Sequence, residues 1–334
     1  MRFGILGSAQ ANSDDLGPET GQGFHDYLEK AVEAEALGYH ASFLVEHHFT
    51  GWNQVSAPLM LQTALAARTR TLRLGTAVIV LPWHNPVLLV EQVATLDLLS
   101  GGRFDFGVGK GYRHNEFAGF CMPPEEAQAR FEESIEVMTR AWTSRERFSH
   151  RGRFWQFEAI VVEPPPAQQP HPPLWVAAAS APSIRRAAES GFNLILDQYA
   201  SSEQIGERIA LYRSAREASG HGFDPMQVAV ARQLHVARDR AEAEAALAQL
   251  AKTTQRTVDV SRTPGREAAG SHVLSYAATP GATEANALYD TPDRIAEQLE
   301  ALSRAGAEYL LLTTLGGTEQ LRRFARDLMP AFAV

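Results

Sequence analysis

Leu72-Arg73-Leu74-Gly75-Thr76-Ala77-Val78-Ile79-Val80-Leu81 is a nearly continuous apolar run. A strand with one wet face alternates apolar and polar residues, whereas a parallel strand covered on both faces does not. Working outward, Phe3-Gly4-Ile5-Leu6 and Ser42-Phe43-Leu44-Val45 read as strands before it. Phe104–Val108, Leu174–Ala177, Leu194–Leu196, Val228–Val236 and Tyr309–Thr313 read as strands after it. Helical patterns fill the gaps. Phe24, Tyr27, Leu28, Ala31, Ala34 and Leu37 recur at helical spacing and Gly38 follows as a stop signal, while Pro58 and Pro86 suit the first turns of two further helices. About eight strands separated by helices predict a single α/β domain over residues 1–334, a (β/α)8 TIM barrel whose reactive residues lie at the C-terminal strand ends. An open doubly wound sheet is the second choice.

The rhythm breaks twice. Residues 143–173 carry Phe148, Phe154, Trp155 and Phe157 around Gly152 and then a proline-rich return, which reads as a hairpin insertion. Residues 253–288 are rich in Thr, Ser, Gly and Ala with weak periodicity after a helix ending near Ala251, which reads as a long mobile loop.

At 334 residues, 45% hydrophobic and 21% charged, the chain is an ordinary globular protein. Thirty-one Lys and Arg against 39 Asp and Glu leave a net charge of -8, which argues against a general nucleic-acid binder. The single Cys121 excludes an internal disulfide and a multi-cysteine metal centre, and reads as a packing thiol. With no apolar signal segment and no apolar run near ~18 residues, a cytoplasmic protein is expected. Lysines are few (Lys30, Lys110 and Lys252), so one inside a glycine-rich stretch stands out.

Three motifs bear chemistry. Glu46-His47-His48-Phe49 follows the second strand, at the mouth of a barrel; on an extended chain Glu46 and His48 share one side and His47 takes the other. Proton transfer, a hydrogen-bonded loop histidine and, least favoured, a metal ligand are the readings of this motif, and no metal is expected. In Gly107-Val108-Gly109-Lys110-Gly111-Tyr112, glycines flank a lone cation just past a strand, so backbone N–H groups and Lys110 together suit an anion; a plain turn is the alternative. In Ala179-Ser180-Ala181-Pro182-Ser183, Ser180 reads as a helix N-cap, compatible with a phosphate held by the helix N–H groups and two hydroxyls.

Leu44–Phe49, then Gly75–Pro82, Gly102–Gly107, Pro173–Ser180 and the closing Gly-x-x-x-Leu-Leu strand from Gly306 together resemble the bacterial luciferase-like flavin-dependent monooxygenases. The resemblance implies a barrel that takes reduced FMN from a separate NAD(P)H:flavin reductase and, through a flavin peroxide, uses O2 to oxygenate a small organic substrate. It implies catalysis by His47 with Glu46 and His48 beside it. It also implies flavin contacts from Ala77 and Val78, matching a non-proline cis peptide, and from Gly109, Lys110, Gly111, Tyr112, Ala179, Ser180, Ser183 and Arg130. Gly109 stands where luciferase has a reactive Cys, and Ala179 where it has Glu, so light emission from a long-chain aldehyde is not expected. Family members commonly pair as homodimers, and the 253–288 stretch falls where luciferase has a mobile loop, implying a lid. A deazaflavin-dependent hydride-transfer enzyme is the competing reading, disfavoured because an acidic, lysine-poor chain offers little for a long acidic tail. A flavin-binding protein without turnover is the third.

Overall fold

A computed structural model of the protein describes residues 1–9, 21–49, 51, 55–261 and 281–332. Eight parallel strands close on themselves. β1 (Arg2–Gly7) pairs β2 (Ala41–Leu44), which pairs β3 (Arg73–Thr76). β4 (Ile79–Val80) continues β3, and both pair β5 (Phe104–Gly109). A two-stranded hairpin, β6 (Phe148–Arg151) with β7 (Gln156–Ile160), projects before the ring resumes through β8 (Leu174–Ala177), β9 (Asn193–Leu196) and β10 (Val228–Val236). β11 (Leu288–Asp290) adds to the edge of β10, and β12 (Tyr309–Thr313) joins β10 back to β1. The fold is a (β/α)8 barrel.

The missing polar alternation has a direct cause. All four residues of β2 are buried, with Ala41 and Phe43 inside the ring beside Trp175, Ile195, Ala229, Tyr309 and Leu311. Leu44 instead packs outward with Leu74, Phe104 and Phe106 against the helices. Each such Leu or Phe contributes about 2 kcal/mol of transfer free energy.

The structure corrects three expectations. The apolar run 72–81 is two strands, not one. The ladder with β5 pairs Gly75 with Asp105 and then Ile79 with Val108, so one extra residue is absorbed around the cis Ala77–Val78 bond. Thr76 fills the gap: its hydroxyl donates to the Gly107 carbonyl at 2.8 Å and accepts from the Gly107 N–H at 3.0 Å. A Cβ at Gly107 would stand 1.7 Å from the Thr76 carbonyl oxygen, so only glycine admits this approach. Second, the stretch 253–288 is not one loop. Residues 253–261 complete the helix Arg240–Ser261, Ala282–Ala285 is a helical turn and Leu288 begins β11. The middle of the expected lid lies outside the described residues. Third, Cys121 is exposed, at a positive φ of 51°, and is not a packing thiol.

Candidate active site

The mouth is built from the segments that leave the C-terminal strand ends. Past β2 the chain turns out through Glu46, His47 and His48, and the predicted alternation holds: His48 Nε2 lies 3.2 Å from Glu46 Oε1 while His47 faces elsewhere. Glu46 is buried and fully engaged. Oε1 also meets His84 Nε2 at 2.7 Å, and Oε2 accepts the Val80 N–H at 2.6 Å. One carboxylate thus ties the histidine segment to the chain just past the Ala77–Val78 bond. Burial alone would raise this carboxyl, but the bonds from His48 and His84, the charge of His84 and the Val80 N–H hold it below its ordinary value.

His47 meets a residue the sequence reading missed. Its Nδ1 lies 3.0 Å from Oε1 of Glu116, a buried residue of the short helix His114–Gly119. Glu116 Oε1 also accepts the His48 N–H at 3.0 Å. With Nδ1–H donating to the carboxylate, Nε2 is the free nitrogen of the ring. Burial lowers the proton affinity of His47, the bond from Glu116 raises it and the Arg113 charge lowers it again; the balance lies below the ordinary imidazole value. Such a ring is neutral at pH 7 and ready to accept a proton.

Of the remaining predicted residues, Tyr112 meets this pair and the others are held by different partners. The Tyr112 ring stands edge-on to His47, centroids 6.3 Å apart. Gly109 lies against Val78, whose Cγ2 would be 2.5 Å from a Cβ at that position. Lys110 is exposed and donates to Gln128 Oε1 at 3.2 Å. Register places β8 beside β5, so Lys110 and the Ala179–Ser183 turn leave neighbouring strands. Ser180 caps the helix Ala181–Glu189, as predicted, through the Ser183 N–H at 3.4 Å, and the two hydroxyls touch each other. Arg130 is already committed: Nε and Nη2 both donate to Glu126, and the guanidinium lies 4.4 Å from the Phe154 ring centre. Beside His48, Phe120 stands edge-on to the imidazole, with Trp83 stacked on it and Phe49 tilted against it, as an aromatic rim.

Seen as a seat for a flavin, the donor set fits. Two hydroxyls at a helix N-terminus and a nearby lysine suit a phosphate, and Ala77, Val78, Gly109 and Ala177, all incompletely buried at strand ends, leave a surface of small side chains. Among the described residues no group of three His, Cys, Asp or Glu could hold a metal ion.

Residues 1–309 match the pattern of the luciferase-like monooxygenases, and the chain belongs to that family. The oxygenase component of the flavin-dependent trigonelline monooxygenase of Acinetobacter baylyi is 28% identical over 249 residues, covering 74% of this chain and 68% of that protein. The FMNH2-dependent dimethylsulfone monooxygenase of Pseudomonas putida is 28% identical over 336 residues, covering 91% and 87%. Among solved structures, the monooxygenase RslO1 from Streptomyces bottropensis superposes over both full chains with a TM-score of 0.85 at 27% identity. The matches to two Sinorhizobium fredii proteins, 32% and 33% identical, span 61% and 55% of their lengths.

Proposed function

We propose that the protein is the oxygenase of a two-component system, using reduced FMN from a separate NAD(P)H:flavin reductase and O2 to oxygenate a small organic substrate. The observation that carries the reading is the buried His47–Glu116 pair at the barrel mouth, on the same end of the barrel as a hydroxyl-lined helix N-terminus of the kind that receives a phosphate. Trigonelline monooxygenase, whose matched part is called an oxygenase component, supports the division of labour.

Bound reduced flavin would supply the electrons and the site of oxygen activation. The chain's own residues do the rest. Ser180, Ser183 and Lys110 hold the phosphate, while Ala77, Val78, Gly109, Gly111 and Ala179 form the seat of the ring. His47, oriented by Glu116, moves a proton at Nε2, and Tyr112 bounds the pocket on the imidazole side. Glu46 keeps His48 and His84 in place below the rim. Arg130, paired with Glu126, serves the phosphate only by exchanging that partner.

Exposed Met60, Leu88, Leu98 and Leu99 on the helices Pro58–Arg68 and Pro86–Ser100 support a homodimer through that face. Sedimentation of the purified chain tests it. Among the described residues no helix is long and apolar enough to cross a membrane.

Titration of the apoprotein with FMN, riboflavin and a deazaflavin, each reduced, tests the cofactor. The reading requires FMN to bind best and Lys110→Ala to weaken FMN much more than riboflavin; equal losses reject the phosphate assignment. Oxygen uptake that depends on substrate, with reduced FMN supplied, separates an oxygenase from a binding protein.

A further inference from the structure

One charge at the mouth is unaccounted for. Arg113 follows Tyr112 in the segment leaving β5, and only 1% of its surface is exposed. Among the described residues its Nε and Nη1, both buried, have no hydrogen-bond partner. Glu116, three residues on, commits Oε1 to His47 and to the His48 N–H. Other buried arginines are served differently. Arg232 donates to the carbonyls of Asp197, Ala231 and Ala200, and Arg216 to the Gly222 carbonyl and the Tyr212 hydroxyl. An unpaired buried ion costs several kcal/mol. Such a cost is tolerated where a ligand completes the pair.

We propose that Arg113 is a specificity-determining residue whose open N–H groups pair with a carboxylate, or a similar oxyanion, on the organic substrate. This rests on the oxygenase reading and narrows its substrate class to anionic small molecules. The place argues for substrate over cofactor phosphate. The hydroxyls suited to a phosphate lie past β8, whereas Arg113 acts on His47 itself, as one of the charges that depress the proton affinity of that ring. An anion on Arg113 would share the Tyr112 ring as a neighbour with the imidazole that moves the proton. It also screens the guanidinium, leaving Glu116 and Glu46 to raise the affinity of His47, so seating the substrate primes the ring. The half-buried Tyr112 borders both groups, its ring centre 5.8 Å from the guanidinium and 6.3 Å from the imidazole.

The test has an arm without flavin, and a second arm that titrates the same proteins with FMN and with riboflavin. Thermal unfolding and calorimetric titration are run on wild type, Arg113→Met and Arg113→Lys with benzoate and with benzamide, its neutral counterpart. Benzoate should raise the wild-type melting temperature and benzamide should not. Arg113→Met should melt no lower than wild type without ligand, since an unpaired charge has been removed, and should bind benzoate roughly 30-fold or more weakly; Arg113→Lys should retain part of the affinity. A lower melting temperature for Arg113→Met marks the charge as structural and overturns the proposal. Equal effects of benzoate and benzamide on wild type overturn it too. If Arg113→Met loses affinity for FMN but not for riboflavin, the anion is the cofactor phosphate and the substrate assignment fails. Wild type that binds benzoate but no flavin refutes the oxygenase reading alone.

Discussion

Glu116 Oε1 stands 3.0 Å from His47 Nδ1 and 3.0 Å from the backbone nitrogen of His48, so one carboxylate oxygen fixes both a ring and the chain that carries it. If His47 transfers the proton, His47→Ala should keep flavin binding and lose about 10²–10⁴-fold in oxygenation. Glu116→Gln preserves a bond to Nδ1 but not the charge, and a smaller loss of about 10-fold is expected. Because the two act as a unit, the double variant should be little worse than His47→Ala. Oxygen uptake with supplied reduced FMN measures all three. Losses that multiply would show the residues acting independently.

Glu46 makes a second, separable prediction. Buried and holding His48, His84 and the Val80 N–H, it is a structural tie more than a reacting group. Glu46→Ala leaves those donors without an acceptor in the protein interior, at a cost of about 3 kcal/mol. Denaturant unfolding should show this cost with His47 intact. A variant as stable as wild type would mean that solvent already serves the three donors.

Burial explains which features were legible in the sequence. Strands covered on both faces lose their polar alternation, and the order of such runs gave the barrel. Ser180 was legible because an N-cap is a local bond. The interruption at Ala77–Val78 was not, since both residues suit a strand and the break depends on Thr76 meeting Gly107, 31 residues away. Glu116 lies 69 residues from its histidine, and only the juxtaposition of the segments after β2 and β5 joins them. Likewise His84 lies 38 residues from Glu46, and only the fold makes them partners. Residues 253–261 read as loop because threonine is a poor helix former. Within the helix Thr253, Thr257 and Ser261 each turn the hydroxyl back to the carbonyl four residues earlier, the partner open to such side chains in a helix interior.

The Thr76–Gly107 contact bears directly on stability. Gly107→Ala would place a methyl 1.7 Å from a backbone oxygen that cannot swing aside, and a loss of about 4 kcal/mol or failure to fold is expected. Thr76→Val keeps the shape but leaves the N–H and the carbonyl of Gly107 unpaired, at a cost of about 2 kcal/mol. Unfolding in urea ranks the two. Were Thr76→Val neutral, the hydroxyl would not be what closes the ladder.

Acid should unfold this protein earlier than its carboxylates require. Burial lowers the proton affinity of His40, His47 and His235, and for His40 the charges of Arg2 and Arg73 add to burial and bring the value to about 4, against an ordinary 6.5. A histidine held neutral in the fold takes up its proton when the chain unfolds. Between pH 6.5 and about 4 the unfolded chain therefore binds more protons, and stability must fall as pH falls through that window. Glu46 and Glu242, both held below the ordinary 4.5, add losses of the same sign at lower pH. Melting temperatures taken from pH 7 down to pH 5 should thus decline before the carboxylates titrate, and His40→Gln should flatten that decline. A flat profile above pH 5 in wild type would show that these rings are protonated as easily in the fold as in the open chain.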